Sequence, residues 1–276
     1  MITIIFGEPG AGKTSLMAHF LLDLYQREGS ALLRECRQKV EALNEMRSTP
    51  FTLPSKPPIF SDFNVKFLVG YKKYFEPYYI NGYYFGMQND NMPTQLLPPK
   101  SKVFLTEGQR YFDSRKSATF PRFVSEAFEM HRHYGLDIYI DVQRPVLIDK
   151  NVRELCKRFI EVQGMEHQET QLTGQITATT FHCREFDSNA AVEAYLGGGE
   201  KIYRSTTYEH RGNILETFDS YGHFDDFLPK EGSDFHLLPF LGKGGKPPKE
   251  LEAFYKFTEP KEYRGGAAAT KEKKAA

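Results

Sequence analysis

The sequence predicts an α/β fold with a mainly parallel sheet flanked by helices, and three observations lead there. The apolar run at 2–6 stops at Gly7 and gives way at once to helical periodicity. Two further short apolar strands, at 103–105 and 137–142, stand either side of a helical stretch at 121–133, and strand–helix–strand alternation favours parallel pairing. A chain of 276 residues, 40% of them hydrophobic, can bury a large core. At about 150 residues per domain it makes one large unit with embellishments.

Each element has its own warrant. Residues 2–6 have the unbroken apolar character of a strand buried on both faces. Leu16, Phe20 and Leu24, with Met17 and Leu21 beside them, form one apolar stripe, so a helix is expected over 14–27, ended by Glu28-Gly29-Ser30. From 31 to 46 charged residues alternate with Leu32, Leu33, Cys36, Val40 and Leu43, the pattern of a second, half-exposed helix. A proline-rich connection then leads to a strand opening at Ile59-Phe60. Eight aromatics stand from Tyr71 to Phe85, and Asn81-Gly82 at their centre signals a tyrosine-rich β-hairpin insertion. Packing on the domain is its plainer use, and a stacking platform for single-stranded nucleic acid the other. Gly135 suits a left-handed position closing the 121–133 helix. Asp149 caps an expected helix over 149–159 that turns Val152, Leu155, Cys156 and Phe159 inward. Residues 176–181 read as a β-branched strand, and Ser188 or Asn189 caps a short helix stopped by Gly197.

Lys+Arg and Asp+Glu both number 36, so no global field announces a nucleic acid, a membrane surface or an acidic substrate. The balance hides an asymmetry: residues 241–276 hold nine basic and five acidic residues, leaving 27 against 31 in the rest. We therefore expect a domain over 1–235 and a low-complexity, basic, flexible tail over 236–276. Cys36, Cys156 and Cys183 are far apart with no CxxC pair, which argues against a disulfide framework and a structural zinc site. There is no secretory leader and no window of about 20 apolar residues, so a cytoplasmic chain without a transmembrane segment is expected.

The chemistry is concentrated at Gly7-Glu-Pro-Gly-Ala-Gly-Lys-Thr14, a GxxxxGK[ST] loop between strand and helix. Gly7, Glu8, Pro9, Gly10, Ala11 and Gly12 supply inward-turned backbone N–H groups for phosphate, and the helix that follows adds its positive end through Lys13, Thr14 and Ser15. Lys13 brings a point charge to the β- and γ-phosphates of ATP, and the Thr14 hydroxyl is a ligand for Mg²⁺. Hydrolysis also needs a carboxylate at the end of a neighbouring strand; Glu107, after 103–105, is the candidate base. Thr106 holds the place of the usual metal-shell aspartate and can reach the ion only through a bound water. Gln143, directly after the 137–142 strand, is placed to sense the γ-phosphate or position water. Arg144 and Arg153, with Arg110 and Arg132, are candidates for an arginine finger in cis or on a neighbouring subunit. His131 and His133 diverge on a helix end and make a poor metal pair.

Taken together, the N-terminal loop, Leu105-Thr-Glu-Gly-Gln-Arg-Tyr-Phe112, His131-Arg-His-Tyr-Gly-Leu-Asp137, Gln143-Arg-Pro145, Leu147-Ile-Asp149 and Val152-Arg153 resemble the zonula occludens toxin (Zot) domain. That is the cytoplasmic ATPase of filamentous-phage assembly and export proteins, in the FtsK/HerA-like branch of P-loop ATPases. Asp219-Ser-Tyr221 resembles the stretch closing that domain, so the likeness spans about 1–225. The resemblance implies a RecA-like core with an additional strand, assembled as a ring such as a hexamer, coupling Mg²⁺-dependent ATP hydrolysis to phage DNA translocation, export or virion assembly. Lys13, Glu107 and Gln143 take the catalytic roles. Two departures stand out. The family usually reads Asp-Glu-Ala-Gln where this chain has Thr106-Glu-Gly-Gln109, and many members continue into a membrane helix and an external domain. The first leaves a nucleotide-binding assembly switch with weak hydrolysis as the alternative, ahead of a small-molecule kinase. The second implies a separate membrane or virion partner and a place peripheral to the host inner membrane or on the virion.

Overall fold

The computed structural model describes residues 1–45, 53–63, 65, 67–70, 73–75, 77–80, 97, 99–115 and 127–218. Its centre is an eight-stranded sheet in the order β10-β9-β8-β1-β7-β6-β2-β5. These strands are β1 (Ile2–Phe6), β2 (Ile59–Ser61), β5 (Tyr78–Tyr79), β6 (Lys102–Leu105), β7 (Asp137–Val142), β8 (Arg158–Glu169), β9 (Ile176–Phe186) and β10 (Arg204–Arg211). The six strands from β8 to β5 are mutually parallel; β9 and β10 add antiparallel pairs at one edge. The remaining two, β3 (Phe67–Gly70) and β4 (Lys73–Phe75), form a separate antiparallel pair. Strand β7 lies between β1 and β6, so the strand that feeds the P-loop and the strand that ends at Glu107 have an extra strand between them. This is the additional-strand, RecA-like arrangement.

Alternation along the strands divides the core in two. Ile2, Ile4 and Phe6 share one face with Ile138, Ile140 and Val142, covered by Phe112, Phe128, Ile148, Val152 and Val192. On the other face Ile5 and Tyr139 meet Leu16, Met17 and Leu21 of the long helix α1 (Lys13–Glu45). Further helices among the described residues include α2 (Lys150–Leu155) and α3 (Asn189–Leu196). Asp149 caps α2, its side chain accepting from the Asn151 N–H at 2.9 Å, and Ser188 caps α3 through the Ala191 N–H at 3.2 Å. Gly135 has φ +64, the left-handed conformation expected there.

Three sequence expectations are corrected. Helix α1 does not stop at Glu28-Gly29-Ser30 but runs unbroken to Glu45. Gly29 is buried, and a Cβ there would stand 3.3 Å from Tyr25 Cδ2 and 3.4 Å from Pro57 Cγ, so this glycine allows the connection to pack closely on the helix. Leu32, Cys36 and Val40 continue the buried stripe, which offsets the roughly 1 kcal/mol that a helical glycine costs. The helix expected over 149–159 ends at Leu155, and Phe159 belongs to β8. The strand at 176–181 extends to Phe186, and β10 had no counterpart in the sequence reading. In the aromatic segment, Tyr78–Tyr79 joins the main sheet beside β2. The expected turn at Asn81-Gly82, Asp219 to Tyr221 and the tail over 236–276 lie outside the described residues.

Candidate nucleotide and metal site

Parallel strands deliver their carboxyl ends to one edge of the sheet, and the P-loop, Glu107 and Gln143 follow the ends of β1, β6 and β7 there. The loop after β1 turns tightly under β8. Gly7 has φ +147 and Gly12 φ +97; a Cβ on the first would lie 2.4 Å from Val162 O, on the second 2.9 Å from Met165 Sδ. The loop thus needs glycine both for its conformation and for the space that β8 leaves. Lys13 is buried, and its ammonium donates to Gly7 O at 3.1 Å and Glu8 O at 3.0 Å, folded onto the carbonyls of its own loop. Thr14 and Ser15 begin α1 with their backbone N–H groups at the helix's positive end.

Next to the loop stands a carboxylate that sequence reasoning passed over. Asp141, on the α1 face of β7, is buried, and the Thr14 hydroxyl donates to its Oδ2 at 3.1 Å. Its Oδ1 accepts the Glu107 backbone N–H at 2.7 Å. Burial pushes its carboxyl up to about 6; the Glu107 hydrogen bond opposes this, the Glu107 carboxylate adds to it, and Lys13 and Thr14 hold it down. Its position in the strand concealed it, since it read simply as one polar residue in an apolar run. The signal was there in the alternation: Tyr139 and Asp141 share a face, and α1 covers that face.

Strand β6 ends in a constrained turn. Glu107 takes φ 48 and ψ 48, a left-handed conformation that costs a non-glycine residue about 1–2 kcal/mol. Gly108 is buried against β7, where a Cβ would stand 2.2 Å from Ile140 Cγ2 and 3.2 Å from Ile148 Cδ1. The Glu107 carboxylate accepts a short hydrogen bond from Gln109 Nε2, which holds it at the rim of the site. Thr106 faces the other way. Its N–H donates to Asp62 Oδ1 and Oδ2 at 2.8 and 3.0 Å, and its hydroxyl to Oδ1 at 3.2 Å. Asp62, one residue past β2, also accepts from the Tyr111 hydroxyl at 3.0 Å. Burial pushes Asp62 up to about 8 against those hydrogen bonds, with Asp141 adding to the rise.

Gln143 is exposed one residue beyond β7, at the same edge as the P-loop. Arg144 is exposed beside it, and Arg110 is exposed in the turn after Glu107. Arg132 is exposed before the start of β7, at the opposite edge. Arg153 is buried and engaged within the fold: its Nε donates to Ile148 O at 3.1 Å, and its Nη1 to Asn189 Oδ1 at 3.3 Å and Glu193 Oε1 at 2.8 Å. His131 is buried with Nδ1 2.5 Å from Phe128 O, a helix-end contact.

The Thr14 hydroxyl and the Asp141 carboxylate that it touches are oxygen donors that suit a hard cation such as Mg²⁺. Among the described residues no three His, Cys, Asp or Glu side chains are grouped to hold a metal ion by themselves. A Mg²⁺ ion completed by phosphate and water needs only one or two carboxylates.

Residues 86–209 match the family described as zonular occludens toxin (Zot). The resemblance read from the 131–137 and 143–153 segments is thereby borne out. The Zot match takes in β6 to β9 and most of β10, with Glu107, Asp141 and Gln143; the P-loop lies before it and is identified by its own motif and geometry. Among solved structures, the N-terminal domain of zonular occludens toxin from Neisseria meningitidis aligns at 17% identity over 79% of this chain and 98% of that chain, with TM-score 0.44. The genome packaging NTPase of Sulfolobus turreted icosahedral virus 2 with ATP-gammaS aligns at 13% identity over 77% of this chain and 97% of that chain, with TM-score 0.36. No curated protein matches the chain. Among the described residues no helix is long and apolar enough to cross a membrane.

Proposed function

We propose that the chain is a Mg²⁺-dependent ATPase that couples hydrolysis to phage DNA translocation, export or virion assembly, working as a homo-oligomeric ring. The observation that carries this reading is the P-loop set between β1 and α1, with the Thr14 hydroxyl and the Glu107 backbone N–H both donating to the buried Asp141 carboxyl group. The Zot match supports the phage setting. On ATP binding, Lys13 exchanges the carbonyls of Gly7 and Glu8 for the β- and γ-phosphates, and the loop N–H groups take the phosphate oxygens. A Mg²⁺ ion held at the Thr14 hydroxyl would neutralise charge developing on the phosphates. Glu107 receives the proton of the attacking water, Gln143 senses the γ-phosphate, and the exposed Arg144 serves as the finger toward a neighbouring subunit. The ring acts on phage DNA on the cytoplasmic side of the host membrane or on the virion, with a separate membrane or virion partner.

One observation favours a second reading. Thr106 brings no charge and is occupied by Asp62, which suits a nucleotide-driven assembly switch with slow hydrolysis. Phosphate release with Mg²⁺-ATP, measured with and without single- and double-stranded DNA alongside the solution mass, separates the readings. DNA-stimulated hydrolysis lost in Glu107→Gln is expected of the motor. Tight ATP binding with equal, negligible turnover in wild type and Glu107→Gln indicates the switch, and absence of ATP binding sinks both.

A further inference from the structure

We propose that Asp141 on β7, rather than a residue of β6, supplies the carboxylate of the Mg²⁺ site. The inference rests on the nucleotide reading above and deepens it.

First, adjacent strands lie about 4.8 Å apart, so the end of β7 is one spacing from β1 while the end of β6 is about 10 Å away, across β7. A carboxylate on β7 therefore needs only a short side chain to reach the P-loop threonine. Asp141 does so, with Thr14 Oγ1 at 3.1 Å. At the end of β6 stands Thr106. The residue present has neither charge nor a suitable direction: both its N–H and its hydroxyl are directed at Asp62, on the β2 side and away from β1.

Second, Asp141 is anchored. Its Oδ1 accepts the Glu107 N–H at 2.7 Å, leaving Oδ2, the oxygen that Thr14 touches, toward the loop. A buried carboxylate held by one oxygen on the main chain of the candidate base and presenting the other to the Thr14 hydroxyl fixes base and threonine relative to one another. A hard cation at Thr14 would find in Asp141 a nearby anionic oxygen that is already oriented.

Third, this placement accounts for the absence of charge at Thr106. With the carboxylate on β7, a second one at 106 would add an anion next to Asp62, Glu107 and Asp141, and like charges in a buried cluster oppose one another. Asp62 instead uses Thr106 and Tyr111 to pin the end of β6.

The test uses the full chain, with a fluorescent ATP analogue and Mn²⁺ as the paramagnetic stand-in for Mg²⁺. In wild type, Mg²⁺ should tighten analogue binding over that in EDTA. Asp141→Asn, which keeps the size and the acceptor for Glu107, should retain the EDTA affinity and lose about 10- to 100-fold in Mn²⁺ affinity of the nucleotide complex, the usual loss when a partner of a metal site is removed. Thr106→Val should keep the metal response. In parallel, wild type labelled with ¹³C at the aspartate carboxyl should give a Mn²⁺–¹³C coupling that persists in Asp62→Asn, a readout that does not depend on Asp141→Asn folding. Unchanged Mn²⁺ affinity in Asp141→Asn with loss in Thr106→Val, or no coupling in the labelled wild type, would overturn the assignment while leaving nucleotide binding intact. Wild type that binds no analogue with or without metal would overturn the nucleotide reading, and this assignment with it.

Discussion

The parallel part of the sheet and its antiparallel edge are stabilised by different means, and the difference explains where the chemistry sits. Strands β1, β6 and β7 are apolar on both faces, and polar groups such as Asp141 and Thr106 stand at their carboxyl ends. Strands β8 to β10 form a long meander whose polar residues run along its length. Glu185, buried in it, accepts from Arg158 at 2.7 Å, Arg204 at 2.5 Å and the Tyr208 hydroxyl. In the first region hydrophobic burial supplies a rigid edge and leaves the strand ends available for phosphate chemistry. In the second, ion pairs and cross-strand contacts hold a surface that burial alone does not secure.

The largest expected effect is on function alone. Lys13→Ala should lower ATP affinity by about 10- to 100-fold, since a hydrogen bond to a charged group contributes about 1.5–3 kcal/mol, and should leave the melting temperature near wild type. Titration of an ATP analogue and a thermal melt read the two halves separately, and retained affinity would count strongly against the site. Gly108→Ala should act on stability, by about 1–3 kcal/mol, because the added methyl overlaps Ile140. Urea unfolding measures it, and a neutral result would mean that the β6 turn is not wedged against β7. Glu185→Gln should cost about 1–2 kcal/mol by weakening the charged hydrogen bonds of the antiparallel edge, with ATP affinity unchanged. A loss of ATP affinity there would show that the two regions are coupled.

Acid should also affect the contact between the regions. His19 on α1 and His210 on β10 face each other with their Nδ1 atoms 3.5 Å apart. Burial, then His210, bring His19 down to about 4, with Asp23 raising it and Arg27 lowering it; burial lowers His210 as well. Between about pH 6.5 and about pH 4 the unfolded chain therefore takes up protons that the folded one does not, so stability is present above about pH 6.5 and falls as pH drops through that window. His19→Gln should flatten that limb of a melting-temperature profile, and a profile unchanged by the substitution would contradict it. The smallest effect belongs to Leu172, 95% exposed in the β8–β9 turn: Leu172→Ser should change stability by less than about 0.5 kcal/mol in the same melts.

The same contrast decides what could be read from the sequence. The strands at 2–6 and 137–142 announced themselves because burial on both faces leaves long apolar runs, and the P-loop because its conformation demands glycine. Strand β8 did not. Glu161, Gln163, Glu166, His167, Gln168 and Glu169 give it a polar texture, and its pairing with β9 depends on partners that local pattern does not reveal. The sequence pattern breaks helix α1 at Gly29 because it does not show Pro57 packing on that glycine. At the site, Lys13, Thr14 and Glu107 follow from motif and position. Asp141 required the strand order, since only the insertion of β7 between β1 and β6 places it beside Thr14.

That strand order has a further consequence, for the order of events during synthesis. Strand β1 precedes both of its neighbours in the chain by a long stretch: they are β7, where Ile2 pairs with Ile138, and β8, where Thr3 pairs with Arg158. The P-loop therefore has no neighbouring strand to rest on until β7 and β8 have been made. Pairings that distant in sequence close late and slow the search for the native topology. A nascent chain interrupted before β8 would carry the complete nucleotide signature without the scaffold that gives it shape.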